Sequence, residues 1–182
     1  AQAAQLVTLR YFGGLSHQDA AKALGITRRA ADRLWSLARA WLLLALAALI
    51  GSGLFSVLLV LARTPGINVW LPAGDFFRTA LVVHVDLSVL VWFVSIAGLL
   101  WSINGRATHL AWSGAAWLAC ATGSVMMAAA PFIVGAGAPV MANYIPLLDG
   151  ALLRAGLVVF GAGALVLVLQ TMVPEPGVGG QA

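Results

Sequence analysis

The hydrophobic positions of the chain fall into four long runs, which follow a shorter segment of mixed polarity. The runs cover residues 41–62, 76–103, 110–133 and 151–173. A helix of roughly 20 residues crosses about 30 Å of hydrocarbon, and each run reaches that length. The segments between the runs carry the Pro, Gly and Asn residues that are typical of turns. The pattern therefore predicts an all-α fold with a four-helix transmembrane bundle in residues 41–182.

Polar and apolar residues alternate with a helical period in residues 1–40, which predicts three short helices. Ser16 precedes "HQDAAKALG" and Asp19 follows three residues later, which is the spacing of an N-terminal cap. Gly25 ends that helix, and Thr27 caps the next one, "RRAADRLWSLARAWL". Two helices joined by a tight turn that contains Gly are typical of a helix-turn-helix. We therefore expect a helix-turn-helix module ahead of the transmembrane domain.

The composition places the whole chain in the class of membrane proteins. Of its residues, 62% are hydrophobic and only 9% are charged, whereas a soluble domain is closer to half apolar and a quarter charged. Cys120 is the single cysteine, which excludes a disulfide framework and a thiolate metal cluster. The first residue is Ala, and no cleavable signal precedes the first run, so we expect a fragment or a processed product.

The net charge of +4 lies entirely in the first 40 residues. With the N-terminus inside, this charge satisfies the positive-inside rule, which predicts a multi-pass protein of the bacterial inner membrane with a cytoplasmic N-terminus. Without residues 1–40, Arg106 alone lies inside while Arg63, Arg78 and Arg154 lie outside. The predicted orientation therefore depends on the N-terminal module.

The second run contains two ionisable residues, His84 and Asp86. Ionisable groups inside a bilayer are costly and are usually functional. Ser88, Ser95 and Gly98 share a helical face with His84, and a flat cofactor could lie on such a narrow face with the imidazole as an axial ligand. A histidine that is hydrogen-bonded to a neighbouring helix is the alternative. Asp86 points away from His84, and both a functional role and a packing role stay open for it.

The third run places small residues four apart, at Ala115, Ala119 and Gly123. Ala116 and Cys120 repeat the spacing on the adjacent row. Small residues at this spacing let a second helix approach closely. We therefore expect a helix–helix interface on this side of the third span.

The stretches "LVVHVDLSVLVWF" and "GAPVMANYIPLLDG" resemble the N-terminal helices of heme–copper oxidase subunit I, the catalytic subunit family of cytochrome c oxidase, over residues 41–173. The resemblance implies that His84 is an axial ligand of a low-spin heme iron, of a type that the sequence leaves open. It also implies that "GSGLFS" lies in the close-packed first helix beside the heme and that Arg78 contacts the heme propionates. The predicted cofactor-binding residues are His84, Arg78, Ser88, Gly51 and Gly53.

The other metal ligands of that family lie on later helices. The remaining histidines of this chain, His17 and His109, fall outside the four runs, so His84 is the only expected iron ligand and no catalytic residue is predicted. Oxidase activity would therefore require the remaining oxidase helices or subunits, in a longer chain or a complex.

The stretch "LRYFGGLSHQDAAKALGITRRAADRLWSLARAWL" resembles the C-terminal DNA-binding region of bacterial extracytoplasmic-function sigma factors, over residues 5–41. The resemblance implies binding to the −35 promoter element and to RNA polymerase. Thr27, Arg28, Arg29 and Arg33 lie at the start of the second helix of the motif, where base edges and phosphates are met. A helical hairpin with a solvated basic face is the alternative.

Three hypotheses follow. The first is a partial oxidase subunit that binds a low-spin heme for respiratory electron transfer. The second is a membrane-tethered transcription regulator, which the absence of a linker before the bilayer disfavours because DNA phosphates would approach an anionic leaflet. The third is a chimeric or frameshifted product with a junction near residues 39–42.

Overall fold

The computed structural model describes residues 2–72, 75–104, 110–133, 137–140 and 146–170, and these residues are almost entirely helical. The helices are α1 Gln2–Tyr11, α2 His17–Ala23, α3 Arg28–Ala62, α4 Phe76–Val85, α5 Trp92–Asn104, α6 Leu110–Ala129 and α7 Ala151–Leu169. A π-helical segment, Asp86–Val91, joins α4 to α5, and two short strands, β1 Pro139–Val140 and β2 Leu147–Leu148, pair antiparallel. The predicted all-α fold is confirmed.

Four helical segments are long and apolar enough to cross a membrane: Arg28–Ala62, Phe76–Asn104, Ala111–Phe132 and Ala151–Leu169. The prediction of four spans is therefore confirmed in length and composition. The last residues of the predicted fourth span, 171–173, lie outside the described residues, as do His109, Arg106 and the middle of the loop "GAPVMANYIPLLDG".

Helix α3 runs without a break from the N-terminal module into the first membrane span. Its 35 residues make a rod of roughly 52 Å at 1.5 Å per residue. Its buried residues are Ala31, Leu34, Ala38, Trp41, Ala45, Ala48, Ser52 and Phe55. Their spacing alternates between three and four residues, which is the seam of a coiled coil. One face of α3 is therefore buried along most of its length. The predicted domain boundary at residue 40 falls within α3 and stays a prediction.

Close approach at glycines sets the packing of the spans. Trp41 of α3 is fully buried, and a Cβ atom added to Gly98 of α5 would lie 2.5 Å from its indole ring. On the other side of the bundle, a Cβ atom on Gly163 of α7 would lie 2.7 Å from the Ala116 carbonyl oxygen of α6. The expected interface of the third span is therefore present. It uses both rows, because a Cβ atom on Gly123 would lie 2.6 Å from the Gly156 carbonyl oxygen of α7 and Cys120 is buried, whereas Ala115 is exposed.

The N-terminal module has a small core of its own, formed by Leu6 of α1, Ala20 and Ala21 of α2, and Ala31 of α3. At its edge, the Arg10 guanidinium lies 5.0 Å from the centre of the Trp35 ring. Helix α1 also contacts α5. The module is thus packed onto the end of the membrane bundle and is not attached through α3 alone.

Candidate functional site

The turn between α2 and α3 is built by backbone and capping hydrogen bonds. Ser16 Oγ accepts a hydrogen bond from the Asp19 N–H (3.2 Å) and donates one to the Asp19 carboxylate (2.6 Å). Gly25 has a φ of +63°, a conformation that costs glycine little. This allows the Ile26 N–H to reach the Ala21 carbonyl at 3.1 Å, the bond that closes a Schellman motif. The local sequence therefore sets the helix-turn-helix geometry.

The predicted DNA-contacting residues all lie at the start of α3. Thr27 is the N-cap, and its Oγ1 accepts from the Ala30 N–H at 3.2 Å. The three arginines, Arg28, Arg29 and Arg33, are exposed. Arg28 Nε lies 3.9 Å from the Asp32 carboxylate, which also pairs with His17 Nε2 at 2.8 Å.

Asp32 therefore offsets part of the positive charge of Arg28. Within the described ranges, Arg29 and Arg33 form no ion pair. These two guanidinium groups remain free to meet phosphate.

His84 is half-buried and is held against α3 by a reciprocal pair of hydrogen bonds. Its Nδ1 lies 2.9 Å from the Ser52 carbonyl oxygen, and the Ser52 hydroxyl donates to the His84 carbonyl at 3.1 Å. The Ser56 hydroxyl lies 3.2 Å from Nδ1 and donates to the same Ser52 carbonyl, also at 3.2 Å. Two serines one helical turn apart on α3 thus fix the plane of the imidazole.

The carbonyl contact favours one tautomer of the neutral His84 ring, although the Ser52 hydroxyl also lies 2.9 Å from Nδ1. A carbonyl oxygen can only accept a hydrogen bond, so this contact is made by the tautomer in which Nδ1 carries the proton and Nε2 keeps its lone pair. No hydrogen bond to Nε2 is present among the residues that the structure describes. Metal-bound histidines usually donate their other ring N–H to a carbonyl or carboxylate in this way. The Nε2 atom of His84 would therefore be suited to bind a heme iron as one ligand.

The other predicted cofactor residues gather less closely around His84. The Ser88 hydroxyl donates to the His84 and Val85 carbonyls, at 2.8 and 3.2 Å. It therefore binds backbone carbonyl groups at the start of the π-helical segment and does not contact the His84 ring in these bonds. A Cβ atom on Gly51 would lie 3.3 Å from the Leu87 side chain.

Gly53 and Arg78 lie in open surroundings. A Cβ atom on Gly53 would meet no atom within 4 Å. The exposed Arg78 side chain pairs with Asp75, with its Nε 3.4 Å from the carboxylate. Arg78 would have to exchange this partner to bind a propionate.

Asp86 opens the π-helical segment and is 1% exposed. Both of its carboxylate oxygens lack a hydrogen-bond partner within the described part of the chain. π-helical turns inside α-helices are frequent at functional sites. The structure thus places an unusual buried carboxyl two residues after His84.

The described residues contain no group of three or more His, Cys, Asp or Glu side chains that could hold a metal ion. His84 is therefore a single donor, and a heme iron bound to it would take its second axial ligand from elsewhere. Ser52 and Ser56 were not predicted as site residues. Their spacing of four in "GSGLFS" was the available signal, but the sequence does not show that this face meets His84.

Comparisons with known proteins gave a family match and a relative. Residues 1–48 match the model of the ECF sigma factor family. A protein of Rickettsia prowazekii (strain Madrid E), described only as uncharacterized, is 42% identical over 66 residues, which are 36% of this chain and 13% of that protein. No solved structure matches the chain. The sigma-factor-like character of the N-terminal region is therefore confirmed. Neither match bears the name of a heme–copper oxidase, and that resemblance stays a prediction.

Proposed function

We propose that this chain is a membrane-anchored DNA-binding protein whose N-terminal module acts like the helix-turn-helix of an ECF sigma factor. The observation that carries the proposal is the capped, basic start of α3, which is exposed on a module that matches that family. The same helix continues into an apolar span. From the similarity to that family we also propose RNA polymerase as a partner. From the positive-inside rule we propose a cytoplasmic N-terminus in a bacterial inner membrane.

The rigid α3 helix supplies the spacing that a linker would otherwise provide. Arg28 precedes Trp41 by 13 residues of unbroken helix, which is roughly 20 Å along the helix axis. Each headgroup layer is only about 5–8 Å thick. A helix along the bilayer normal therefore holds Arg28 and Arg29 clear of the lipid headgroups, where duplex DNA can reach them. This spacing supports the proposal even though no linker separates the recognition helix from the membrane span.

The test is DNA binding by the purified chain in detergent. Fluorescence anisotropy with a short labelled DNA duplex should show binding that weakens as salt rises. Arg28→Ala together with Arg29→Ala should weaken it and reduce the slope of log affinity against log salt by about 2, because two phosphate contacts are lost.

Arg154→Ala is the matched control, because Arg154 is an exposed arginine on α7 that pairs with Asp149. This variant should bind DNA like the parent chain. Equal loss in both variants, or no binding by the parent chain, would overturn the DNA-binding proposal.

A second candidate function is heme binding at His84, as in a partial heme–copper oxidase subunit I. The observation that favours it is the 2.9 Å contact between Nδ1 and the Ser52 carbonyl oxygen, which favours a proton on Nδ1 and leaves Nε2 as an electron-pair donor inside a membrane span. A heme held there would carry one electron between ferrous and ferric iron. The remaining oxidase helices or subunits would supply the second ligand and the respiratory partners.

Heme titration of the purified chain tests this candidate. The parent chain should give a shifted Soret band, and added imidazole should provide the sixth ligand and a low-spin α-band. His84→Ala should abolish both changes, whereas His17→Ala, in the N-terminal module, should leave them intact. Heme uptake that is unchanged in His84→Ala would remove this candidate without affecting the DNA-binding proposal.

A further inference from the structure

A groove of about 460 Å³ opens between α3 and the first turn of α6. Its volume lies in the range of sites for small molecules. Its walls are formed by Arg33, Ser36, Leu37, Ala40, Ala111 and Gly114. Along α3 the lining changes from polar to apolar, since Arg33 and Ser36 lie toward the N-terminus while Leu37 and Ala40 lie toward the membrane span. The groove is therefore amphipathic along its length.

The membrane end of the groove, at Leu37 and Ala40, lies at the level of the lipid headgroups. Arg33 lies about 12 Å before Trp41 on the aqueous side, from where its long side chain reaches the groove. Arg39 is the last charged residue of α3 before the apolar span. The groove residues of α3 lie between Arg33 and Ala40, so they end next to Arg39. On α6, Trp112 follows the groove residue Ala111 and is 62% exposed. Exposed tryptophans of membrane proteins concentrate at the headgroup level. The polar end of the groove thus faces the aqueous side, and the apolar end faces the hydrocarbon.

The charge of the groove is positive and uncompensated. Arg33 is exposed, and its guanidinium forms no ion pair among the residues that the structure describes. None of the six lining residues is acidic. A guanidinium group is well suited to bind phosphate through two parallel hydrogen bonds. The groove therefore offers a cation beside an apolar channel, at the membrane surface.

We propose that this groove binds the headgroup of an anionic phospholipid from the leaflet that faces the N-terminal module. The Arg33 guanidinium holds the phosphate, and the start of the acyl chains lies along Leu37, Ala40 and Ala111. A lipid in this position joins α3 to α6 and keeps Arg33 at the membrane, away from DNA. The proposal does not depend on the proposed DNA binding, which uses Arg28 and Arg29.

Native mass spectrometry of the purified chain in detergent tests the proposal with phosphatidylglycerol and phosphatidylcholine at equal concentration. The parent chain should retain phosphatidylglycerol preferentially. Arg33→Gln should weaken that binding about five-fold, the effect of one basic residue at an anionic surface. Arg39→Gln is the matched control, because Arg39 is exposed on the same helix but does not line the groove.

Gly114→Leu tests the groove itself, because a Cβ atom at Gly114 meets no atom within 4 Å and the larger side chain would fill the open space. It should reduce binding of both lipids while the helical circular dichroism stays unchanged. Soluble glycerol phosphate should fail to displace the lipid. Equal losses in Arg33→Gln and Arg39→Gln, displacement by glycerol phosphate, or full binding by a folded Gly114→Leu would each overturn the proposal. If Gly114→Leu fails to fold, the comparison of the two arginine variants decides the outcome.

Discussion

Gly98 is the position where a single hydrogen atom in place of a side chain allows α5 to pack on α3. The Trp41 ring occupies the space that a Cβ atom would need, and Trp41 is fully buried. The ring belongs to an aromatic side chain held between helices, so it cannot move aside cheaply. The sequence placed Gly98 on a face of small residues that was predicted to receive a cofactor, and the structure fills this part of that face with an indole ring.

Gly98→Ala should destabilise the folded chain by about 1–3 kcal/mol, because the added methyl group overpacks the contact with Trp41. Gly161→Ala is the control, since a Cβ atom there meets nothing within 4 Å in the middle of α7. That variant should be neutral or slightly more stable because Ala favours helix over Gly. Unfolding in mixed micelles, followed by circular dichroism, gives both free energies. Equal stability of the two variants would contradict the packing described for Gly98.

His84 illustrates what residue type can and cannot tell. A histidine in a membrane span was enough to predict a functional or hydrogen-bonded group. Both alternatives were left open; the structure shows the hydrogen bond to the neighbouring helix through Nδ1, and the role of Nε2 as a ligand stays a prediction. Only the contact with Ser52, 32 residues away along the chain, distinguishes the two nitrogens.

At the scale of the element, α3 combines two sequence signals in one helix. The polar pattern of its first turns indicated a recognition helix, and the apolar pattern that follows indicated a membrane span. The buried positions continue from Ala31 to Phe55 with spacings of three and four residues. Such a seam keeps one face of a helix against its partners over many turns. The change from polar to apolar therefore occurs on the exposed faces, while the buried face is uniform.

Ala45→Leu should lower the free energy of unfolding by about 1–3 kcal/mol, because Ala45 is 1% exposed on this seam and a larger side chain would separate the helices. Ala47→Leu places the same substitution two residues later on an exposed face and should leave the stability unchanged. The same micelle unfolding experiment measures both. A larger loss for Ala47→Leu would mean that α3 packs through a different face.

At the scale of the whole molecule, the N-terminal module and the loop between the first two spans lie on opposite sides of the membrane bundle. Helix α1 contacts α5, so the N-terminal module packs against one of the membrane helices. The short 3₁₀ turn Asn68–Trp70 lies between the first two spans, and a single crossing by α3 therefore places it on the opposite side. The positive charge of residues 1–40 favours the cytoplasm for the module.

Labelling of spheroplasts with a membrane-impermeant maleimide should show this orientation. Asn68→Cys should react in intact spheroplasts, whereas Gln18→Cys, on the exposed side of α2, should react only after permeabilisation. The parent chain is the background control, because its single cysteine, Cys120, is buried. Labelling of Gln18→Cys before permeabilisation would place the module outside and would contradict the proposed cytoplasmic DNA binding.

The sequence by itself determined the elements: four apolar spans, a capped helix-turn-helix ahead of them, and a histidine inside the second span. These depend on composition, on helical period and on capping residues such as Ser16, Gly25 and Thr27, all of which act within a few residues of each other. Only the tertiary structure decided that both rows of α6 meet α7, that Trp41 fills the face at Gly98, that Ser52 holds the His84 ring, and that Arg33 borders a groove with α6. Each of these depends on contacts between residues that are distant along the chain, and helical periodicity specifies a face without specifying its partner.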